Sequence, residues 1–251
     1  MSPILHSILE AVGNTPLVEL QRLTSPGDAR VLVKVEGLNV GGSIKTRTAL
    51  NMLEAAERAG AIGPGSVIIE PTSGNQGIGL ALVCCLKGYR CIIVMPDSVS
   101  VERLSLMRLY GAETVIIPDH DNIGECMDRC MAKAYELRDQ TPGGFVPQQF
   151  ENPHNPEVHY DKTGQEILSQ IGAERIDAFC SGFGTGGTLS GIGTVLRERF
   201  PDLLIVAVEP ENAAILAGGA IGSHLQMGIG DGFIPKNLNT SLINENFIIS
   251  D

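Results

Sequence analysis

The sequence predicts an α/β protein in two lobes, built on mostly parallel sheets with helices on both faces. Short apolar runs of strand length alternate with segments of helical periodicity along most of the chain, which is typical of parallel sheets. With 251 residues and 43% hydrophobic content, the chain can bury one large core or two modest ones. Polar, glycine-rich turns follow several predicted strands, where ligands gather in such sheets.

Local periodicity predicts the elements of the first half. We expect a short helix over residues 5–12 and a buried strand over 31–35. A glycine turn then leads into a helix in which Ala49, Met52, Leu53 and Ala56 share one face at helical spacing. Further strands are predicted at 67–70, 90–94 and 114–117, and helices at 77–87, 101–110 and 122–138.

The second half begins after residues 141–144 (TPGG), a cluster of breaker residues that we take as the best candidate for a domain boundary. A helix is predicted at 163–171, a strand at 176–179, a helix ending near 200, and strands at 203–208 and 247–249. Ser250 and Asp251 are typical of a helix cap, yet they end the sequence. We therefore expect the sequence to be a fragment of a longer chain.

Composition restricts the class of protein. A net charge of −11 with scattered Lys and Arg disfavours nucleic acid as a partner. The longest apolar runs are too short to span a bilayer, and the first residues lack the features of a secretory signal, so we expect a cytoplasmic protein that binds no membrane. The six cysteines lie in apolar segments without C-x-x-C spacing, and the five histidines are dispersed. We expect buried, reduced thiols and no metal site.

Residues 180–191 (CSGFGTGGTLSG) follow a predicted strand and open a helix, which favours the binding of a phosphate group. Gly182, Gly184 and Gly187 also form a G-x-G-x-x-G pattern, and Glu209 ends the next predicted strand. These are features of a dinucleotide site with an acidic ribose ligand. The loop by itself therefore leaves two possibilities, a nicotinamide cofactor or another phosphate.

Two further stretches stand at predicted helix starts. Lys45 lies in the first turn of its helix, where the dipole disfavours a cation, so it is either a solvated surface lysine or a functional amine. The turn at residues 72–75 (TSGN) offers several donors to an anion, although simple N-capping explains it equally well.

Taken together, the motifs resemble the cysteine synthase (O-acetylserine sulfhydrylase) family of fold-type II pyridoxal-phosphate enzymes. The similar segments appear in family order at 12–17 (VGNTPL), 34–39 (KVEGLN), 42–45 (GSIK), 70–75 (EPTSGN), 148–153 (QQFENP), 182–191 and 228–230 (GIG). The resemblance implies a fold like that of the tryptophan synthase β subunit. It further implies a smaller mobile domain at 38–144, which carries the loop for the substrate carboxylate, and a larger domain for the cofactor phosphate at 1–37 plus 145–251.

The resemblance also assigns roles to individual positions. Lys45 matches the lysine that holds pyridoxal 5′-phosphate as a Schiff base and acts in catalysis, and Asn75 matches the amide that bonds the 3′ oxygen of the cofactor. The phosphate-binding positions are Gly184, Thr185, Gly186, Gly187 and Thr188. The substrate-binding positions are Thr72, Ser73, Gly74, Asn75, Gln76, Gln149 and Gly228. The partner of the pyridine nitrogen falls, in the family, beyond residue 251.

The activity implied is β-replacement or β-elimination on a serine- or cysteine-type amino acid through an aminoacrylate, in a homodimer. An oxidoreductase that uses a nicotinamide cofactor, with Glu209 on the ribose, is the alternative from another cofactor class, but it leaves Lys45 without a role. A catalytically silent family member that acts as a binding partner or sensor is a third possibility, against which Lys45 and Asn75 both count.

Four positions depart from the family pattern. Val40 replaces a common proline, Thr46 a common aspartate and Gln76 a usual threonine, which affects the lysine turn and the carboxylate site. Asp231 stands where a small neutral residue is usual. It is either a solvated turn residue or a general base for water, and in the second case the enzyme converts cysteine into serine and releases sulfide.

Overall fold

Two parallel sheets and one short antiparallel ribbon form the framework of the chain. The computed structural model describes residues 4–72, 74–119, 123–219 and 221–251. The ribbon pairs β1 (Leu17–Glu19) with β2 (Leu32–Lys34). One sheet has the order β5-β4-β3-β6, with β3 (Val67–Pro71), β4 (Arg90–Pro96), β5 (Glu113–Ile117) and β6 (Gly144–Phe145). The other has the order β7-β8-β9, with β7 (Ala178–Gly182), β8 (Leu204–Pro210) and β9 (Glu245–Ile249).

Helices connect and cover the parallel strands. They are α1 (Lys45–Arg58), α2 (Asn75–Lys87), α3 (Val101–Leu109), α4 (Ile123–Gln140), α5 (His154–Val158), α6 (Gln165–Ile171) and α7 (Gly187–Arg199). A π-helical turn, His159–Gly164, joins α5 to α6. Single 3-10 turns lie at Ile8–Ala11, Glu36–Leu38, Glu211–Ala213 and Thr240–Leu242.

The four-stranded sheet is covered on both faces, as predicted. Alternate residues of a strand point to opposite faces, so Ile68 and Ile93 pack with helices α1 and α2, whereas Ile69 and Val94 pack against α4. In the three-stranded sheet, Ile205 packs under the apolar face of α7. The predicted α/β architecture with parallel sheets is confirmed.

Some local predictions were wrong. The helix expected over 5–12 is one 3-10 turn, Ile8–Ala11, and β1 was missed because a three-residue strand has no detectable periodicity. The expected helix at 163–171 extends back through the π-helical turn and α5. Two of the six cysteines, Cys85 and Cys180, are exposed and not buried, although all six are free thiols. In the described ranges, no helix is long and apolar enough to cross a membrane.

Gly79 brings α2 onto the start of α1. A Cβ added there would lie 2.9 Å from the Lys45 carbonyl oxygen, too close for any side chain. We predict that Gly79→Ala lowers the free energy of unfolding by about 1–2 kcal/mol, because overpacking outweighs the better helix propensity of alanine. Urea unfolding measures this. Gly63→Ala is the control, since its Cβ would meet nothing within 4 Å; equal stability of the two variants would contradict the prediction.

Candidate active site

A cavity of about 350 Å³ lies where β3 and β7 end and where α1, α2 and α7 begin. Most of the residues predicted from the sequence line it, namely Lys45, Thr72, Gly74, Asn75, Gln76, Gln149, Gly184, Thr185, Gly186, Thr188, Gly228 and Asp231. Gly187 is not among the lining residues, and Ser73 lies outside the described residues. The structure thus brings together positions that are far apart in the sequence.

Lys45 is the first residue of α1 and is half-buried, with its Nζ 3.5 Å from the Thr185 hydroxyl. Burial lowers the pKa of this amine, and the nearby Asp231 carboxylate opposes that shift. A lysine at the N-terminus of a helix is further destabilised as a cation by the helix dipole. The environment therefore favours the uncharged amine, which is the nucleophilic form.

The turn before Lys45 is closed by two of the unusual residues. The buried Thr46 hydroxyl donates to the Val40 carbonyl oxygen at 2.5 Å. Gly41 has a φ of 87°, and a Cβ there would come within 2.6 Å of the Thr46 hydroxyl oxygen. The bond between Val40 and Thr46 thus ties the two ends of the turn together.

Arg47 anchors the first turn of α1 to two largely buried carboxylates, Glu36 and Glu166. Its guanidinium is 2% exposed and bonds both carboxylate oxygens of Glu36 and both of Glu166. Lys34 adds a further contact, 2.7 Å from Glu166 Oε2. Two carboxylates around one guanidinium form a largely buried network, which joins α1 to α6 and to the 3-10 turn Glu36–Leu38.

The glycine loop at residues 184–188 presents backbone donors at the start of α7. Gly186 has a φ of 78°, and its carbonyl oxygen accepts a hydrogen bond from the Ser190 N–H at 3.0 Å, the first bond of α7. The backbone N–H groups before Ser190 therefore have no carbonyl partner within the helix. Thr185 is held by Asn155, whose Nδ2 donates to its hydroxyl at 2.9 Å. A Cβ on Gly187 would overlap Asn155 Oδ1 at 2.1 Å, so only glycine fits.

Neutral donors line the side of the cavity at the end of β3. Gln76 is 1% exposed, and neither its Nε2 nor its Oε1 has a hydrogen-bond partner in the described part of the chain. Buried amides without partners are rare in folded proteins, and they indicate a missing ligand or water. Thr72, Asn75 and Gln149 line the same cavity.

Glu70, which sequence reasoning assigned no role of its own, fixes the turn that carries Gln149. Its carboxylate is 0% exposed and accepts the backbone N–H groups of Gln148 and Gln149, each at 2.9 Å. Burial raises the pKa of Glu70 to about 7, against the effect of these two bonds. Gln148 has a left-handed φ of 57°, a conformation that such a clamp can hold in a residue other than glycine.

His159 is another residue that no local pattern in the sequence marks. Burial, with smaller effects from Lys45 and Arg47, lowers its pKa to about 3, so the imidazole is neutral. Its Nδ1 lies 3.0 Å from the Thr163 hydroxyl and its Nε2 lies 3.4 Å from that of Thr188 in the glycine loop. It opens the π-helical turn, a distortion often found at functional sites.

Asp231 lies in the turn that the sequence suggested, but its side chain is not the fully solvated one of that interpretation. It sits in a tight turn, since Gly230 and Gly232 have φ values of 73° and 87°. Its side chain is half-buried and lines the cavity, with Oδ2 2.8 Å from the position of a Cβ on Gly184. Burial raises the pKa of Asp231, while the charges of Lys45 and His224 lower it.

Glu209 takes no part in the cavity. It is 1% exposed, and its carboxylate accepts hydrogen bonds from the Leu216 backbone N–H and from the Asn246 side chain. This carboxylate is therefore occupied within the fold, and the cavity lining does not include it. Of the two ligands that the glycine loop allowed, the dinucleotide is disfavoured. Within the described residues, no group of His, Cys, Asp and Glu is placed to hold a metal ion.

The residues present fit a small phosphate monoester that carries an aldehyde. The half-buried Lys45 amine lies next to the glycine loop and its backbone donors, and the Asn75 amide lines the same cavity. The family model described as pyridoxal-phosphate dependent enzyme matches residues 8–250. The chain belongs to this family. Its cofactor is pyridoxal phosphate, as the sequence predicted.

Curated relatives and solved structures agree with this membership. A cysteine synthase of Staphylococcus aureus (strain Mu50) is 50% identical over 236 residues, which are 94% of this chain and 74% of that relative. A cysteine synthase of Flavobacterium sp. is 45% identical over 238 residues, 95% of this chain and 76% of the relative. The predicted resemblance to the cysteine synthase family is confirmed.

Two solved structures share the fold over nearly the whole chain. A hydrogen sulfide-producing enzyme from Fusobacterium nucleatum superposes with a TM-score of 0.91 at 40% identity, covering 99% of this chain and 82% of that one. O-ureido-L-serine synthase superposes with a TM-score of 0.93 at 42% identity, covering 99% of this chain and 77% of that one. The fold-type II assignment is therefore confirmed.

The Arg47 network makes the stability of this enzyme dependent on acid pH. Burial raises the pKa of Glu166, but bonds from Arg47 and Lys34 more than offset this and lower it to about 2, from an ordinary 4.5. Stability from Glu166 is therefore fully present above pH 4.5 and is lost as the pH falls through about 2. We predict that Glu166→Gln costs about 3 kcal/mol at neutral pH and flattens this acid dependence.

Urea unfolding between about pH 5 and pH 2 tests the prediction. Glu113→Gln is the matched control, because its ion pair with Arg90 has both side chains about half exposed, at 53% and 54%. It should cost less than about 1 kcal/mol. Equal losses in the two variants would show that the buried network contributes no more than a surface ion pair.

Proposed function

We propose that Lys45 is the residue through which this pyridoxal-phosphate-dependent enzyme carries out β-replacement or β-elimination on serine- or cysteine-type amino acids. The observation that carries this assignment is an amine with a lowered pKa at the start of α1, facing a loop of open backbone N–H groups. When bound, the cofactor supplies an electron sink for charge that develops at the substrate Cα. Lys45 Nζ then takes the Cα proton, which requires the uncharged amine.

We propose that the cofactor phosphate is held by Gly184, Thr185, Gly186, Gly187 and Thr188. Asn155 orients the Thr185 hydroxyl and His159 lies against that of Thr188, which supports a preorganised anion site. Asn75 is proposed to bond the 3′ oxygen of the cofactor. Each of these groups binds and orients, and none has to gain or lose a proton.

The substrate carboxylate is proposed to bind Thr72, Ser73, Gly74, Asn75, Gln76 and Gln149, and Gly228 is proposed as a further substrate-binding position. The Gln76 amide, which has no hydrogen-bond partner in the described part of the chain, supports this. Its Nε2 could donate to the substrate carboxylate, and its Oε1 could accept from the substrate amino group. The Glu70 clamp on Gln148 and Gln149 holds one side of this site in place.

We propose that residues 38–144 close over the substrate as a smaller lobe, against the remainder at 1–37 and 145–251. Closure would exclude water from the reacting groups. The pairing of β6 (Gly144–Phe145) with β3 supports a boundary at this point of the chain, because β6 is the last strand of the four-stranded sheet. We also propose a cytoplasmic homodimer. Six free thiols suit a reducing compartment, and the family resemblance supports the dimer.

The nucleophile that adds to the substrate Cβ is the part of this function that has still to be assigned. The relatives and structural neighbours include a cysteine synthase, a hydrogen sulfide-producing enzyme and O-ureido-L-serine synthase. We propose that Asp231 allows water to react. Its carboxylate lines the cavity beside Gly184 and Gly228, so that it can take a proton from water as the water oxygen bonds to Cβ. Cysteine would then yield serine, and the thiol would leave as hydrogen sulfide.

The role of Lys45 is tested by borohydride reduction and peptide mapping. Lys45→Ala should lose at least about a thousandfold in product formation, because both the covalent anchor and the proton acceptor are removed. Borohydride should fix the cofactor on Lys45 in the native protein and leave Lys45→Ala unlabelled. Lys133→Ala is the control, since Lys133 pairs with Glu136 on α4 outside the cavity. Label on another lysine would overturn the assignment.

The role of Asp231 is tested by offering cysteine alone, or O-acetylserine with sulfide. Asp231→Asn should lower serine formation from cysteine by about a hundredfold, the usual size of general-base assistance. Cysteine formation from O-acetylserine should change less than about threefold, because sulfide is already anionic enough to react unaided. The exposed Asp202 provides a control variant, Asp202→Asn. Unchanged serine output from Asp231→Asn would reject the role of Asp231 as a base.

A further inference from the structure

Two basic side chains line the cavity within the described ranges, Lys45 and Arg103. Lys45 is accounted for by the cofactor. Arg103 belongs to the first turns of α3 and has no part in the roles proposed above. A cation at the edge of an active site, in a chain of net charge −11, calls for a specific explanation.

The Arg103 guanidinium has no hydrogen-bond or ion-pair partner among the residues that the structure describes, although its backbone N–H bonds the Ser100 hydroxyl. Its Nη1 lies 3.9 Å from the position of a Cβ on Gly74. On the same helix, Arg108 has its Nε bonded to the Thr114 hydroxyl at 3.1 Å. The Arg103 donors are thus free beside the turn at the end of β3.

The charges around Arg103 leave room for one more anion. The groups proposed to bind the substrate α-carboxylate are all neutral and do not include Arg103, so Arg103 remains available for a different anion. Among the described lining residues the acids are Glu36 and Asp231, and Glu36 is bound by Arg47 at 2.7 Å. The planar fork of a guanidinium matches a carboxylate or a phosphate, to which it donates two parallel bonds.

The cavity that Arg103 lines also has apolar side chains. Met127 and Met227 line the cavity, and methionine side chains adapt their shape to varied apolar groups.

We propose that Arg103 binds a second anionic group, a carboxylate or phosphate, carried by the β-substituent or by the incoming thiol, and so selects charged co-substrates. This proposal rests on the β-replacement function. Its net step is O-acetylserine plus a thiol giving a thioether amino acid plus acetic acid, in which S–Cβ forms and Cβ–O breaks.

The experiment uses the protein with cofactor bound and O-acetylserine as the amino acid. Mercaptopropionate and its methyl ester are compared as thiols, since they differ mainly in one negative charge. We expect the native enzyme to prefer the acid by about tenfold in kcat/KM, the size of one charge-assisted contact. Arg103→Gln should bring that ratio close to one by raising KM for the acid, and Arg103→Lys should restore part of it.

A second arm compares O-phosphoserine with O-acetylserine, using sulfide as the nucleophile. A preference for O-phosphoserine that Arg103→Gln abolishes assigns the anion to the leaving group, and a lost thiol preference assigns it to the nucleophile. Arg108→Gln is the matched control and should keep both preferences. Unchanged cofactor absorbance in every variant verifies that the site is assembled.

Unchanged preferences in Arg103→Gln would overturn the proposal. An equal loss with acid and ester would also overturn it, because Arg103 would then serve the α-carboxylate common to both reactions. If the native enzyme makes no thioether from either thiol and no cysteine from sulfide, β-replacement itself fails, and the proposal fails with it. The neutral ester thus separates a failure of the function from a failure of Arg103.

Discussion

The burial of one amine, Lys45 Nζ, is the constraint on which the rest of the site depends. Burial of the ammonium form is costly and lowers the pKa of Lys45, so other contacts of the fold have to hold this residue in place. Arg47, two residues later, supplies the holding force through Glu36 and Glu166. Gly79 allows α2 to approach the Lys45 carbonyl, and the bond from Thr46 to Val40 closes the turn before it. The backbone of Lys45 is thus held by its neighbours, and the amine itself makes one long contact, to the Thr185 hydroxyl at 3.5 Å.

A second set of buried polar groups connects the two sides of the cavity. Glu70 at the end of β3 fixes the backbone of Gln149, and the Gln149 carbonyl oxygen accepts a bond from Asn155 at 2.7 Å. Asn155 also donates to Thr185 in the glycine loop. These hydrogen bonds form one continuous chain from the end of β3 to the glycine loop. The lobe closure proposed above would act on one end of this chain, and the proposed phosphate site lies at the other.

Much of the fold was predictable because its signals are local. The apolar face of α1 and the alternating runs of β3 and β4 appear in the periodicity of the sequence, and the structure places them in the core. The ribbon strand β1 and the π-helical turn at His159 were missed, since three residues carry no period and a π turn depends on its surroundings. Cys85 and Cys180 were predicted to be buried but are exposed, because the apolar composition of a segment does not reveal which side of it faces solvent.

The fold class was predictable from periodicity, and the family, the cofactor and a set of candidate site residues from a resemblance to a known family, because the glycine turns, the lysine turn and the strand ends are contiguous motifs. Tertiary structure decided which of those residues meet in one cavity, and it added Glu70, Asn155, His159 and Arg103. It also showed Glu209 to be occupied within the fold and the Asp231 side chain to face the cavity. The physical reason is that hydrogen-bond partners and burial depend on contacts between distant segments, which no local pattern encodes.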